Sequence, residues 1–95
     1  MLVLNVTFKC APGTREELRA LIKEQGIDVA SRAEEGNFKY DFYLSTEDPD
    51  DIFLVEFWQD VDAWQNHRTL PHYMQLEELK KGRVLEADIQ KYFTE

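Results

Sequence analysis

Between Ile52 and Trp58 only Glu56 interrupts an apolar run. Read as part of an extended segment from Ile52 to Gln59, the run points Ile52, Leu54 and Trp58 one way and Phe53, Val55 and Phe57 the other. A strand that is apolar on both faces is buried on both faces, so the sheet that holds it needs a cover on each side. In a chain of 95 residues the helical segments suffice for one side. The most economical cover for the second is the same face of another copy. This predicts a sheet-on-sheet homodimer with two-fold symmetry.

The flanking sequence supplies the rest of such a sheet. Leu2, Leu4, Val6 and Phe8 alternate with Val3, Asn5, Thr7 and Lys9, the period of a strand. Pro12-Gly13 ends it, and Thr14 stands where a helix cap is expected, ahead of Glu16 and Glu17 in a first helical turn. Leu18, Leu21, Ile22, Gln25, Val29 and Ala33 hold nearly one helical face as far as Glu35. Gly26 weakens the middle of that helix and Gly36 is placed to cap its C-terminus.

Phe38, Tyr40, Phe42 and Leu44 alternate as a second strand, and the acidic stretch from Glu47 to Asp51 reads as a solvated turn. That stretch lacks the glycine and the distal glutamate of a calcium loop. Asp60 is placed to cap a helix carrying Ala63, Trp64 and His67, and Pro71 opens a further helical segment with Tyr73, Leu76 and Leu79. After Gly82, residues Arg83 to Phe93 read as a final strand with Leu85, Ala87, Ile89 and Phe93 on one face. The order β-α-β-β-α-β predicts an α+β, ferredoxin-like antiparallel sheet with its helices on one face, in a single domain spanning residues 1–95.

Eleven basic residues against nineteen acidic ones give a net charge of −8, which repels nucleic acid and anionic membranes alike. The N-terminus shows no signal-peptide pattern and no stretch has the length of a membrane helix. Cys10, the only cysteine, excludes an internal disulfide and suits a reducing cytoplasm. It reads as a strand-end side chain rather than a reactive thiol.

Chemistry concentrates in one stretch. Glu56 shares the face of Ile52, Leu54 and Trp58, so burial is expected to raise its pKa and make it a candidate for moving protons. His67 and His72 are five apart with a proline between, which is not the spacing of a helical metal pair, and no metal is expected. As a proton acceptor or a hydrogen-bond partner of a polar substrate, either histidine is suited to neutral pH. Trp64, Tyr73 and Tyr40 are candidate walls for a flat aromatic ligand, with Trp58 assigned mainly to packing. There is no phosphate loop, dinucleotide fingerprint, cysteine cluster or serine nucleophile motif, so an enzyme here is expected to work without a bound cofactor.

Pro12-Gly13, Ser31-Arg32-Ala33-Glu34-Glu35-Gly36 before Phe38-Lys39-Tyr40, Glu56-Phe57-Trp58, Ala63, His67 and Pro71-His72-Tyr73, taken in order, resemble the antibiotic biosynthesis monooxygenase domain over nearly the whole chain. The resemblance implies a dimeric α+β barrel and, for some members, oxidation of quinols or phenols by O2 without metal or flavin. It makes the aromatic pocket the expected substrate site, and the residues themselves give His67 or His72 as the expected base or oxyanion partner and Glu56 as a tuning carboxylate. Asn5 matches an asparagine of the haem-degrading branch and joins Trp64, Tyr73 and Tyr40 as an expected substrate contact. That branch's tryptophan position, however, reads His67, and no histidine follows His72. An isomerase-type branch acting on a phosphorylated signalling sugar would need a basic clamp, for which Arg32 and Arg68 are the candidates. A dimeric domain that only binds a small molecule is the non-enzymatic alternative.

Overall fold

The computed structural model describes residues 1–94. Four strands, β1 (Leu2–Cys10), β2 (Asn37–Leu44), β3 (Asp51–Trp58) and β4 (Val84–Phe93), form one antiparallel sheet in the order β2-β3-β1-β4. Helices α1 (Arg15–Glu24) and α2 (Ile27–Arg32) link β1 to β2, and α3 (Val61–His67) and α4 (Pro71–Lys80) link β3 to β4. This is the expected ferredoxin-like α+β fold. Among the described residues no helix is long and apolar enough to cross a membrane.

Alternation decides what each face of the sheet meets. On one face Leu2, Leu4, Val6, Phe8, Tyr40, Ile52, Leu54 and Trp58 are all buried, against Leu18 and Ile22 of α1, Ile27 of α2 and Leu76 of α4. Each such side chain contributes about 2 kcal/mol by leaving water. The opposite face carries no helix. There Val3, Phe53, Val55 and Phe57 are half-buried and Tyr43 and Tyr92 are about half exposed.

Three local expectations change. The first helix does not run to Glu35, because Gly26 adopts φ +64° and splits it into α1 and α2. A left-handed residue cannot continue a right-handed helix, and glycine adopts that conformation without a Cβ clash. Phe38 does not share the face of Tyr40, since the β2–β3 register shifts between Asn37 and Lys39 and leaves Phe38 exposed at the irregularity. Leu85 leaves its expected face in the same way, where the β1–β4 register shifts between Lys9 and Cys10. Ala87, Ile89 and Phe93 do face the helical side, together with Lys91, but the helices stop short of β4 and leave its side chains exposed.

The caps divide. The Asp60 carboxylate accepts from the Ala63 amide at 2.8 Å and starts α3 as expected. The Thr14 hydroxyl instead donates to the carbonyls of Ala11 (2.8 Å) and Arg83 (3.2 Å), tying the start of α1 to the loop before β4. The acidic turn holds a cation from within the chain. Arg15 donates to the carbonyls of Ser45, Asp48 and Asp51 at 3.0–3.3 Å. Cys10 is buried, and burial pushes its thiol pKa up, away from reactivity.

Candidate functional site

Both histidines converge on a residue that the motifs did not single out as a functional group. Glu34 lies in the turn between α2 and β2, His67 is the last residue of α3, and His72 is the second residue of α4. His67 Nδ1 lies 2.6 Å, and His72 Nε2 2.7 Å, from the same Glu34 oxygen, Oε2. The turn is held there by Gly36, at φ +86°, whose missing Cβ lets α3 approach. A Cβ at this position would stand 2.9 Å from that of Ala63.

His67 is 2% exposed. Its ring is packed by Trp58 (centroids 4.8 Å apart), Tyr73 (5.3 Å), Tyr40 (5.6 Å) and His72 (5.6 Å). Burial lowers its pKa, against the opposing pull of the Glu34 carboxylate, and so favours the neutral ring near pH 7. The hydrogen-bond network then assigns the proton to Nδ1, donating to Glu34, and leaves the lone pair on Nε2.

Glu56 sits where alternation puts it, on the helical face and 6% exposed. No arginine holds it. Its Oε1 accepts from the Trp58 indole N–H at 3.0 Å. Burial raises its pKa from the ordinary 4.5 to about 7, with the Trp58 bond opposing and the charge of Glu34 adding to the rise. Trp58, wholly buried, therefore packs the core and also holds this carboxyl.

Between the sheet and helices α3 and α4 lies a cavity of about 280 Å³, near the lower end of the range for small-molecule sites. Leu4, Val6 and Leu54 are among its floor residues, and Tyr40, Glu56, Trp64, His67 and Tyr73 are in its walls. It extends to Ala87, Ile89 and Lys91, on the stretch of β4 that the helices leave bare.

Six of the seven expected site residues are thus brought together. Five line the cavity, and His72 stands behind it on Glu34. Asn5 is not among them. It pairs with Val55 and Gln90 and lies on the helix-free face, on the far side of the sheet from His67. Of the two candidate phosphate clamps, Arg32 is committed elsewhere, donating to the Tyr40 carbonyl at 2.9 Å and pairing with Asp28 and Asp41. Arg68 lines the cavity.

The sequence did carry one hint of Glu34. An acidic pair just past a helix C-terminus is electrostatically out of place, because that end of the dipole favours cations.

Among the described residues, Glu34, His67 and His72 are also the one group with the side-chain types and closeness of a metal site, their ligand atoms lying within 4.8 Å of one another. Two donors on a tetrahedral metal with bonds of about 2.1 Å lie roughly 3.4 Å apart. The 2.6 and 2.7 Å separations are those of hydrogen bonds.

A profile of the antibiotic biosynthesis monooxygenase domain matches residues 1–79. The chain belongs to the antibiotic biosynthesis monooxygenase family. YcnE of Bacillus subtilis (strain 168), whose name gives it a provisional monooxygenase activity, is 34% identical over 85 residues, covering 90% of this chain and 85% of its own. The solved structure of PA3566 from Pseudomonas aeruginosa superposes with a TM-score of 0.88 at 25% identity, covering 98% of this chain and 92% of the other. A family structure from Nitrosomonas europaea reaches 0.89 at 20% identity, over 99% and 98% of the two chains, and speaks for the fold alone. The family profile ends within α4, so β4 and its contribution to the cavity lie beyond it.

Proposed function

We propose that this chain is a cofactor-independent monooxygenase that oxidises a quinol-like or phenolic small molecule with O2, working as a single domain over residues 1–95 in a cytoplasmic homodimer. The observation that carries the reading is His67, a neutral imidazole in the wall of an aromatic cavity with its proton held on Nδ1 by Glu34. Nε2 is then the base that takes the phenolic proton, and the imidazolium that forms is stabilised by the Glu34 carboxylate. His72 holds Glu34 from the other side.

The deprotonated ring is electron-rich enough to pass an electron to O2 itself. For a quinol, the substrate supplies all the reducing electrons. One oxygen atom enters the ring as it becomes a hydroxyquinone, and the other leaves as water. The protein supplies orientation, a dry pocket and the base. Glu56 tunes the charge of the pocket, and Tyr40, Trp64 and Tyr73 stack on the ring. Pairing is supported by the helix-free sheet face, where Phe53, Val55 and Phe57 lie in a row beside Val3.

Oxygen uptake against reduced naphthoquinols and anthrone-like phenols, corrected for autoxidation and run without added metal or flavin, tests the reading. Turnover is expected, falling as pH drops and His67 takes up a proton. His67→Gln is expected to lose about 10²-fold or more while keeping the native circular dichroism spectrum. Saturable binding with no uptake by the wild type would favour the binding-only domain instead.

A further inference from the structure

The chain has eleven basic residues and a strong excess of acid, so nearly every cation finds a carboxylate. Lys9, Arg15, Arg19, Lys23, Arg32, Lys39, Lys80, Lys81 and Arg83 each pair with an aspartate or glutamate. Among the described residues two remain, Arg68 and Lys91. They come from different parts of the chain, the C-terminal cap of α3 and the helix-facing side of β4 near its end, and both lie against the same side chain. The Arg68 guanidinium stands 5.3 Å, and the Lys91 ammonium 4.6 Å, from the centre of the Trp64 ring. Both line the cavity that holds His67.

Among the described residues the side-chain acceptors beside Arg68 are uncharged, the Gln65 amide at 3.4 Å and the Tyr73 hydroxyl. The carboxylates of the cavity are already engaged. Glu77 pairs with Lys80 at 3.1 Å, and Glu56 accepts from Trp58 at 3.0 Å.

Two cations without a carboxylate partner among the described residues, both beside the Trp64 ring and both lining one cavity in a chain of net charge −8, make an anion site in waiting. The indole keeps both heads at the cavity without neutralising them, and Lys91 reaches it because its register partner is Leu4 on the cavity floor. We propose that the natural substrate is an aromatic anion, a phenol or quinol bearing a carboxylate-like group, and that Arg68 and Lys91 select it by gripping that group at the β4 side of the cavity. This rests on the cavity being the substrate site, and it goes beyond the oxidation chemistry by assigning the specificity residues.

Anaerobic titration calorimetry with two probes tests it: 1,4-dihydroxynaphthalene and its 2-carboxylate. The wild type is expected to bind the carboxylate about tenfold more tightly at low salt, with the preference shrinking as salt is added. Arg68→Gln combined with Lys91→Gln is expected to abolish the preference, mainly by weakening the carboxylated probe. The charge-keeping pair Arg68→Lys with Lys91→Arg retains most of it, and Arg19→Gln, on a distant exposed helix face, leaves it intact. Equal affinity of the wild type for both probes, binding of neither, or a preference that survives loss of both charges would overturn the inference. Oxygen uptake on the same probes separates the two proposals. A charge preference without uptake sinks the oxidation reading alone, and uptake without a preference sinks this one alone.

Discussion

Replacing Glu56 with glutamine removes one ionisable site and little else. The amide is nearly isosteric, and its oxygen can still accept the Trp58 indole bond at 3.0 Å. What disappears is the cost of ionising a carboxyl that is 6% exposed. In the folded chain that group has its pKa raised from 4.5 to about 7, chiefly by burial. Each tenfold in proton affinity is worth about 1.4 kcal/mol, so ionisation is about 3 kcal/mol harder in the folded protein than in the unfolded chain.

The direction follows from which state binds the proton. From about pH 4.5 to about pH 7 the unfolded chain has released it and the folded chain retains it. Stability therefore falls as pH rises through that window and levels off above it. Near pH 5 Glu56 costs the wild type about 1 kcal/mol, and near pH 8 about 3 kcal/mol. Glu56→Gln should escape both costs.

Urea unfolding followed by tryptophan fluorescence, at one protein concentration and at pH 5 and 8, reads this directly. The advantage of the variant over the wild type is expected to grow by about 2 kcal/mol between the two pH values, on the order of 10 °C in Tm. An advantage that does not change with pH, or a variant less stable than wild type at pH 8, would refute the reasoning. It would mean that Glu56 ionises freely in the fold.

Two further outcomes follow from the backbone and the open sheet face. Gly36→Ala should destabilise by about 2–4 kcal/mol, from left-handed strain and a Cβ 2.9 Å from that of Ala63, whereas Gly26→Ala, with open space around it, should cost about 1 kcal/mol; paired thermal melts check the difference. Val55→Asp places a charge in the middle of the helix-free face and should leave a folded monomer in sedimentation velocity, while a dimer that survives the change would remove that face as the pairing surface.

Legibility in the sequence was uneven, and the reason is locality. Strand faces repeat every two residues, so the burial of Glu56 beside Ile52, Leu54 and Trp58 was readable from a few neighbours. The same rule already placed Asn5 opposite Leu4 and Val6. Only the family resemblance had drawn it towards the site, and it lies on the other face. Asp60 was readable as a cap because capping needs only the next three residues. Gly26 was seen as a weak point, but whether a glycine merely softens a helix or breaks it depends on how the two pieces pack, and α2 turns to lay Ile27 in the core.

What the sequence alone determined, then, was the order of elements, the buried face of each strand, the apolar pattern on both faces of β3 and most of the residues that line the cavity. These follow from side-chain period and turn residues, which act over a few positions. Only the tertiary structure decided that Glu34 meets His67 and His72, 33 and 38 residues away, and that Arg68 and Lys91 share Trp64. Those meetings depend on strand register and on where helix ends converge, quantities that no local pattern contains.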